Sequence, residues 1–302
     1  MKTVLIAGGT GLIGNQLVQQ LTNMGVRVRV LSRTPRLEGQ FAWDPAEGTM
    51  DDAALEGVDT VINLAGAGIA DKRWTPVRKR ILISSRVTSA DTLRAAFIRT
   101  GHQPKTYVSA SAIGIYGNSK EYWQTETAMI EQGGARPFMV DCCELWEAAA
   151  DRIAALGIRT VKLRIGVVMA KEGGALAEFI KPLRFGIGTY FGDGKAWYSW
   201  IHRTDVCRMI IWAAENNSME GVYNAVAPNP LRNINLVKAT AKAMGKSAVF
   251  VPAPGSALRL ILGEMSAVVF NSNRVSAEKV TKAGFVFEFP DIEEALQDIF
   301  KK

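Results

Sequence analysis

The first strand, turn and helix constrain this chain most. Val4-Leu5-Ile6-Ala7 is a short apolar run that reads as a buried strand. Gly8-Gly9-Thr10-Gly11-Leu12-Ile13-Gly14 follows directly. Ile13, Leu17 and Leu21 then share one helical face, and Gly25 stands where a C-terminal cap is expected. The glycines satisfy two spacings together, Gly9-x-Gly11-x-x-Gly14 and Gly8-x-x-Gly11-x-x-Gly14. Between a strand and a helix, this is the pattern of a dinucleotide-binding turn. Absent side chains permit the tight turn and let backbone approach a pyrophosphate. The helix N-terminus offers that anion unpaired N–H groups and a partial positive charge. The alternative is an ordinary glycine-rich turn, which the flanking strand and helix disfavour.

Strand and helix patterns then alternate through roughly the first 170 residues. Strands are expected at Val26–Leu31, Val58–Ala65, Thr106–Ala110 and Thr160–Met169. Helical patterns at Ile81–Arg99 and Phe138–Leu156 separate them. This order predicts an α/β fold: a doubly wound parallel sheet of Rossmann type, covered on both faces. After Ala170 the pattern becomes glycine-rich and loop-like. A helix at Thr204–Glu215 and a strand at Gly221–Val226 return to the sheet. Ala227-Pro228-Asn229-Pro230 marks a boundary. The expected division is 1–228 for the nucleotide-binding domain, with 171–203 on the cap side, and 229–302 for a smaller α+β cap. That cap carries helices near Asn235–Met244, Ala257–Leu262, Ser276–Ala283 and Ile292–Phe300. It should close over the carboxyl ends of the strands.

With 48% hydrophobic and 22% charged residues among 302, the chain can bury a large core. Met1-Lys2-Thr3 runs into the first strand, so no leader is expected, and no apolar stretch approaches a bilayer span. Three cysteines, with Cys142 and Cys143 adjacent, make neither a disulfide framework nor a metal spacing. A cytoplasmic protein without a metal is expected. The net charge of +7 raises the question of nucleic acid or a membrane surface. The basic residues are scattered, however, and Arg78-Lys79-Arg80 is the densest group. Neither partner is expected; an anionic cofactor or substrate suits the charge equally well.

An NAD-selective site usually has an acid about 20 residues beyond the glycines. Here the second strand ends Leu31-Ser32-Arg33-Thr34-Pro35-Arg36, with no acid. Ser32 can donate to a phosphate oxygen and Arg33 can pair with a 2′-phosphate, so NADP(H) is expected. The alternative is that Arg33 and Arg36 are solvated loop charges.

The chain resembles the extended short-chain dehydrogenase/reductases of the nucleotide-sugar epimerase/dehydratase type. The matching pieces are the glycine turn, Asn63-Leu64-Ala65-Gly66, Ser109-Ala110-Ser111-Ala112 leading to Tyr116-Gly117, Leu163-Arg164-Ile165-Gly166-Val167-Val168 and Trp200-Ile201-His202-Arg203-Thr204-Asp205-Val206. More narrowly it is similar to an atypical "epimerase family" branch. That branch carries Ala70-Asp71-Lys72-Arg73-Trp74-Thr75, Ser85-Arg86-Val87, Gly263-Glu264-Met265-Ser266 and Ala283-Gly284-Phe285-x-Phe287. The resemblance implies bound NADP(H), a substrate cap and homodimerisation through the two long helices. It implies Gly8, Thr10, Gly11, Leu12, Ile13 and Gly14 at the pyrophosphate, with Ser32 and Arg33 at the 2′-phosphate. Asp44, Leu64, Ala65, Gly66, Arg86 and Ser109 would complete the cofactor site. Ser111 would polarise a carbonyl.

Hydride transfer in this superfamily implies a Tyr that moves a proton and a Lys four residues later on the same helix face. The corresponding helix reads Phe138-Met139-Val140-Asp141-Cys142, with neither group. A literal Tyr116-Gly117-Asn118-Ser119-Lys120 does occur, but Gly-Asn-Ser is turn chemistry. Tyr116 remains a candidate that approaches substrate from a loop. Cys142 and Cys143 read as buried small hydrophobes, Glu147 as a base or a helix-surface charge, and His202 as a general acid or a helix-start residue. Arg73 and Trp74 read as a clamp for an anionic ring-bearing substrate, with Trp74 otherwise packed under the cap. Arg164, polar within a strand, requires a buried partner. Two functions compete: an NADP(H)-binding oxidoreductase or epimerase on an unknown, nucleotide-sugar-like small molecule, and a non-catalytic NADP(H)-binding sensor.

Overall fold

The computed structural model describes residues 1–128 and 136–301. The strand at Thr3–Ala7 (β1) lies in the middle of an eight-stranded sheet. The other strands are Arg27–Ser32 (β2), Gln40–Asp44 (β3), Thr49–Met50 (β4), Thr60–Asn63 (β5), Thr106–Ala112 (β6), Arg159–Ile165 and Gly221–Ala225. From one edge the order is Gly221–Ala225, Arg159–Ile165, β6, β5, β1, β2, β3, β4. All neighbours are parallel except β3 and β4. The chain winds outward in both directions from β1, so β1 and β5 form the switch point where open sheets bind ligands.

β1 reads as an unbroken apolar run because both its faces are covered. Val4 and Ile6 pack with Leu17 and Leu21 of the helix Leu12–Asn23 (α1). Leu5 and Ala7 face Leu93 and Phe97 of the helix Pro76–Thr100 (α2) and Ile153 of the helix Phe138–Ala154 (α3). Alternate residues of one strand therefore serve two helical layers. α2 starts five residues before the apolar pattern does. Thr75 accepts from the Arg78 N–H at 3.1 Å and Pro76 occupies the first turn, so the start is fixed by capping.

The expected single strand Thr160–Met169 divides at Gly166. Arg159–Ile165 stays in the main sheet, while Val167–Met169 pairs with Trp200–His202 in a separate two-stranded sheet. A Cβ on Gly166 would lie 2.7 Å from the Ser199 carbonyl oxygen, so only glycine allows the chains to approach where the strand changes partner. The stretch after Ala170 is also more regular than its glycines suggest. It contains a helix, Gly174–Leu183 (α4), and a strand, Ile187–Phe191, paired with Val249–Ala253.

Beyond the main sheet lie the helices Arg203–Glu215 (α5), Asn233–Ala243 (α6), Gly255–Leu262 and Ile292–Phe300. A third core joins Leu176, Phe179, Trp200, Leu236 and Leu296. Asp205, fully buried at the start of α5, accepts the N–H groups of Glu288 and Phe289 at 2.9 Å and a 2.7 Å bond from Arg208. That carboxylate ties the C-terminal segment to the sheet layer. No helix among the described residues is long and apolar enough to cross a membrane.

One arginine closes the other end of α5. Arg159 donates to the carbonyls of Ala213, Ala214, Asn216 and Met219 at 2.7–3.1 Å and to the Thr106 hydroxyl at 2.7 Å. A lysine has three donors and no planar fork. Arg159→Lys should therefore lower stability by about 2 kcal/mol, read as a shift of the urea midpoint at constant slope.

Candidate functional site

The glycine turn is built by exclusion. Gly8 has a φ of +82°, and a Cβ there would lie 2.7 Å from the Leu64 carbonyl carbon. A Cβ on Gly14 would lie 2.2 Å from the Gly8 oxygen and 2.7 Å from the Gly9 Cα. These two positions let the ends of β1, α1 and β5 come together. Gly11 differs: its Cβ would meet only the Gly8 oxygen at 3.4 Å and otherwise point into open space. Gly11 also precedes α1 and supplies no side-chain cap, so the first-turn N–H groups meet no capping side chain. Thr10 and Gly11 are exposed, with Leu12 and Ile13 half-buried behind them. The result is a concave backbone surface with a helix dipole aimed at it.

Leu64, Ala65 and Gly66 form the adjacent wall. The Leu64 N–H donates to the Ala7 carbonyl at 2.8 Å, and the Ala65 N–H donates to Asn63 Oδ1 at 3.1 Å. Arg86 holds this turn from α2. Its Nη2 donates to the Ala67 carbonyl at 3.1 Å, its Nη1 to Leu82 at 2.8 Å, and its guanidinium lies 4.9 Å from the Trp146 ring centroid. Burial lowers its pKa. Arg86 thus buttresses the wall. Ser109 is buried and donates to the Ala110 carbonyl at 3.0 Å. Ser32 ends β2 with its Oγ accepting the Thr34 N–H at 3.2 Å. Arg33 is exposed beside it. Asp44 lies at the end of β3, one strand further out, and accepts the Ala46 N–H at 2.9 Å.

Ser111 and Tyr116 enter a different arrangement from the one expected. Ser111 is buried, and its hydroxyl donates to Glu147 at 2.7 Å instead of facing open space. Glu147 takes a two-pronged bond from Arg164, at 2.8 and 3.0 Å. Arg164 also donates to the Tyr116 oxygen at 2.9 Å, and that phenol donates to Asn224 Oδ1 at 2.6 Å. Burial pushes the Tyr116 pKa up, against the lowering effect of Arg164. Burial opposes the Arg164 charge most strongly of any one cause, but its bonds to Glu147 and Tyr116 together outweigh burial and raise its pKa. Tyr116 ends a single 3-10 turn, and Lys120 sits in an exposed turn with φ +52°. The two do not share a helix face.

The start of α3 packs against the loop that precedes α2. Phe138 is the first helical residue, and its ring meets Trp74 edge-on with centroids 5.0 Å apart. Cys142, one turn on, is buried, which raises its thiol pKa against the pull of Arg86; Cys143 is pushed up to about 12 by the same cause. The ammonium of Lys79, from α2, stands 5.3 Å from the Phe138 ring centroid. Among the described residues no group of three His, Cys, Asp or Glu is placed to hold a metal.

A model of the NAD dependent epimerase/dehydratase family matches residues 4–225, the span of the main sheet. The chain belongs to that family. Residues 253–299 of this epimerase-family chain match a second model, a domain of unknown function. An epimerase family protein of Staphylococcus aureus (strain NCTC 8325 / PS 47) is 35% identical over the full length of both chains. The crystal structure of the human epimerase family protein SDR39U1 (isoform 2) with NADPH is 30% identical, covers 99% of each chain and has a TM-score of 0.87. A nucleoside-diphosphate sugar epimerase from Corynebacterium glutamicum is 28% identical, with a TM-score of 0.79, over 99% of this chain and 58% of its own.

Three residues of this family member owe their places to contacts that the sequence leaves open or does not signal. Glu147, one turn beyond Cys143 on a charged helix, allowed a surface reading; it is 7% exposed and bound to Arg164. The signal was Arg164 itself, a charge in a strand that had to find an acid. His202 proves to be a helix-start residue, its Nδ1 accepting the Thr204 N–H at 3.1 Å. Lys79 carried no signal beyond its place in a basic triplet, since its approach to Phe138 is made by tertiary packing.

Proposed function

We propose that this chain binds NADP(H) at the glycine turn and works as an atypical oxidoreductase or epimerase-like enzyme on a small, nucleotide-sugar-like molecule, in the cytoplasm. Gly11 carries the reading. It is the one position of the motif where a methyl group would invade open space beside an uncapped helix start, as a phosphate cradle requires. The human relative's crystal structure with NADPH supports the same cofactor here. The backbone of Gly8 to Gly14 would hold the pyrophosphate, with Thr10, Leu12 and Ile13 in its rim. Ser32 and Arg33 would hold the 2′-phosphate, Asp44 and the Leu64-Ala65-Gly66 turn the adenosine side, and Arg86 and Ser109 the walls. The dinucleotide supplies a hydride donor or acceptor at its nicotinamide.

Residues 1–228 would form the cofactor domain and 229–302 the cap. In this reading Ser111 and Tyr116 position the strand ends through Glu147 and Arg164, and the usual phenol–ammonium relay is absent. A second reading, a non-catalytic NADP(H) sensor, is favoured by α3 carrying Phe138 and Cys142, neither a phenol nor an ammonium, at the two positions where the resemblance puts that relay. NADPH that stays unoxidised across a panel of carbonyl substrates would support it.

The test is a fluorescence titration with NADPH and NADH. Arg33→Ala should weaken NADPH by about tenfold or more, the value of a charge-assisted phosphate contact, and leave NADH unchanged. If neither nucleotide binds the unaltered protein, the cofactor reading fails.

A further inference from the structure

The surface beside Phe138 is cationic on the side of α2. The loop from Gly66 to Thr75 and the first turn of α2 bring together Arg73, Arg78 and Lys79. Arg78 is committed within this segment: it donates to the Gly68 carbonyl at 2.5 Å and lies 3.6 Å from Asp71. The other two reach across to the C-terminal segment. Lys79 pairs with Glu264, in the 3-10 turn Gly263–Ser266. Arg73 lies against the backbone of Gly263, so closely that a Cβ there would be 3.0 Å from its Nε. Among the described residues Arg73 pairs with no carboxylate. Gly263 itself has a φ of +58°, so the turn that delivers Glu264 is specified by glycine.

We propose that Lys79 and Arg73 receive an anionic group of the substrate, a carboxylate or a phosphate, and that Glu264 is the internal acid which that group displaces. This rests on the reading that the surface beside Phe138 is the substrate side of the cofactor site. Three features carry it. Lys79 stands over the half-buried ring of Phe138, which Trp74 meets edge-on, so an anion on Lys79 would lie beside an apolar ring. The acid on Lys79 comes from a different segment and is largely exposed, its side chain 63% accessible, so it can leave without exposing apolar core. Arg73 supplies a second cation beside the first, and a pair of cations suits a dianion better than one Glu264 carboxylate does. The turn 263–266 would then serve as a lid whose acid reports whether the anion is in place.

Calorimetric titrations of the full chain with inorganic phosphate and with malonate, at saturating NADPH, test this. Saturation keeps the probes off the pyrophosphate turn. Glu264→Gln removes the competitor and should tighten at least one probe by about tenfold, the scale of one exchanged ion pair. The probe that gains more identifies phosphate or carboxylate chemistry. Lys79→Met should abolish that gain when combined with Glu264→Gln, and neither change should alter NADPH affinity. Neither side chain is buried, so an unchanged thermal midpoint is expected and confirms the fold. Affinities for both probes that stay the same in Glu264→Gln would overturn the proposal, as would a gain that survives Lys79→Met. If NADPH does not bind at all, the cofactor reading fails on its own. The Lys79-dependent part of probe binding, measured without NADPH, then still decides the anion site.

Discussion

Gly14→Ala should cost about 3 kcal/mol or more, while Gly11→Ala, three residues earlier, should cost about 1 kcal/mol or less and still remove NADPH binding. The two glycines belong to one motif but perform opposite tasks. At Gly14 the added Cβ would stand 2.2 Å from the Gly8 oxygen and 2.7 Å from the Gly9 Cα, both main-chain atoms that no rotamer change can move. Relief requires α1 to lift away from β1, which separates Leu17 and Leu21 from Val4 and Ile6. At Gly11 the backbone is extended, with φ −79° and ψ 177°, which alanine adopts freely. Its Cβ would meet a single atom at 3.4 Å. The methyl group instead fills the space that the proposed pyrophosphate needs. Urea unfolding and NADPH titration on both variants separate the roles. A stable Gly14→Ala protein would mean that α1 is free to shift. A Gly11→Ala protein that binds NADPH as before would move the cofactor off this turn.

The same distinction explains how much was legible in the sequence. β1, β2, β5, β6, Arg159–Ile165 and Gly221–Ala225 were visible because a parallel sheet buried on both faces writes itself as apolar runs. The glycine turn was visible because backbone–backbone contact at Gly8 and Gly14 leaves no other residue type possible. β3 was not visible: Gln40-Phe41-Ala42-Trp43-Asp44 lies toward the sheet edge with only Trp43 buried, so its pattern is weak. α4 was hidden by the glycines before it and by Pro182 near its end. The break at Gly166 was missed because a strand that changes partner keeps its apolar pattern on both sides. In the candidate site, α3 reads residue by residue as a helix with neither Tyr nor Lys. The direction of the Ser111 hydroxyl was not, because it depends on an acid 36 positions away. Lys79 over Phe138 and Glu264 on Lys79 are likewise products of packing between distant segments.

Breaking the Glu147–Arg164 pair should be the most costly side-chain change among the polar residues of the site. Glu147 and Arg164 are 7% and 8% exposed, and each is satisfied chiefly by the other. Glu147→Ala leaves a buried guanidinium without its acid, and Arg164→Met leaves a buried carboxylate without its base. Each should lose about 3–5 kcal/mol. The double variant Glu147→Leu with Arg164→Met removes both charges and keeps apolar volume, so it should recover most of that loss, and the two effects will be far from additive. Additive losses would mean that the pair is hydrated and weakly coupled. Ser111→Ala removes one neutral donor to a carboxylate that keeps both Arg164 bonds, so it should cost only about 1–2 kcal/mol. That contrast also tests the role of Ser111. If Ser111 positions the strand end through Glu147, activity in Ser111→Ala will follow the small stability change. Activity lost outright in a protein that remains folded would mean that its hydroxyl turns from Glu147 to a substrate carbonyl during the reaction.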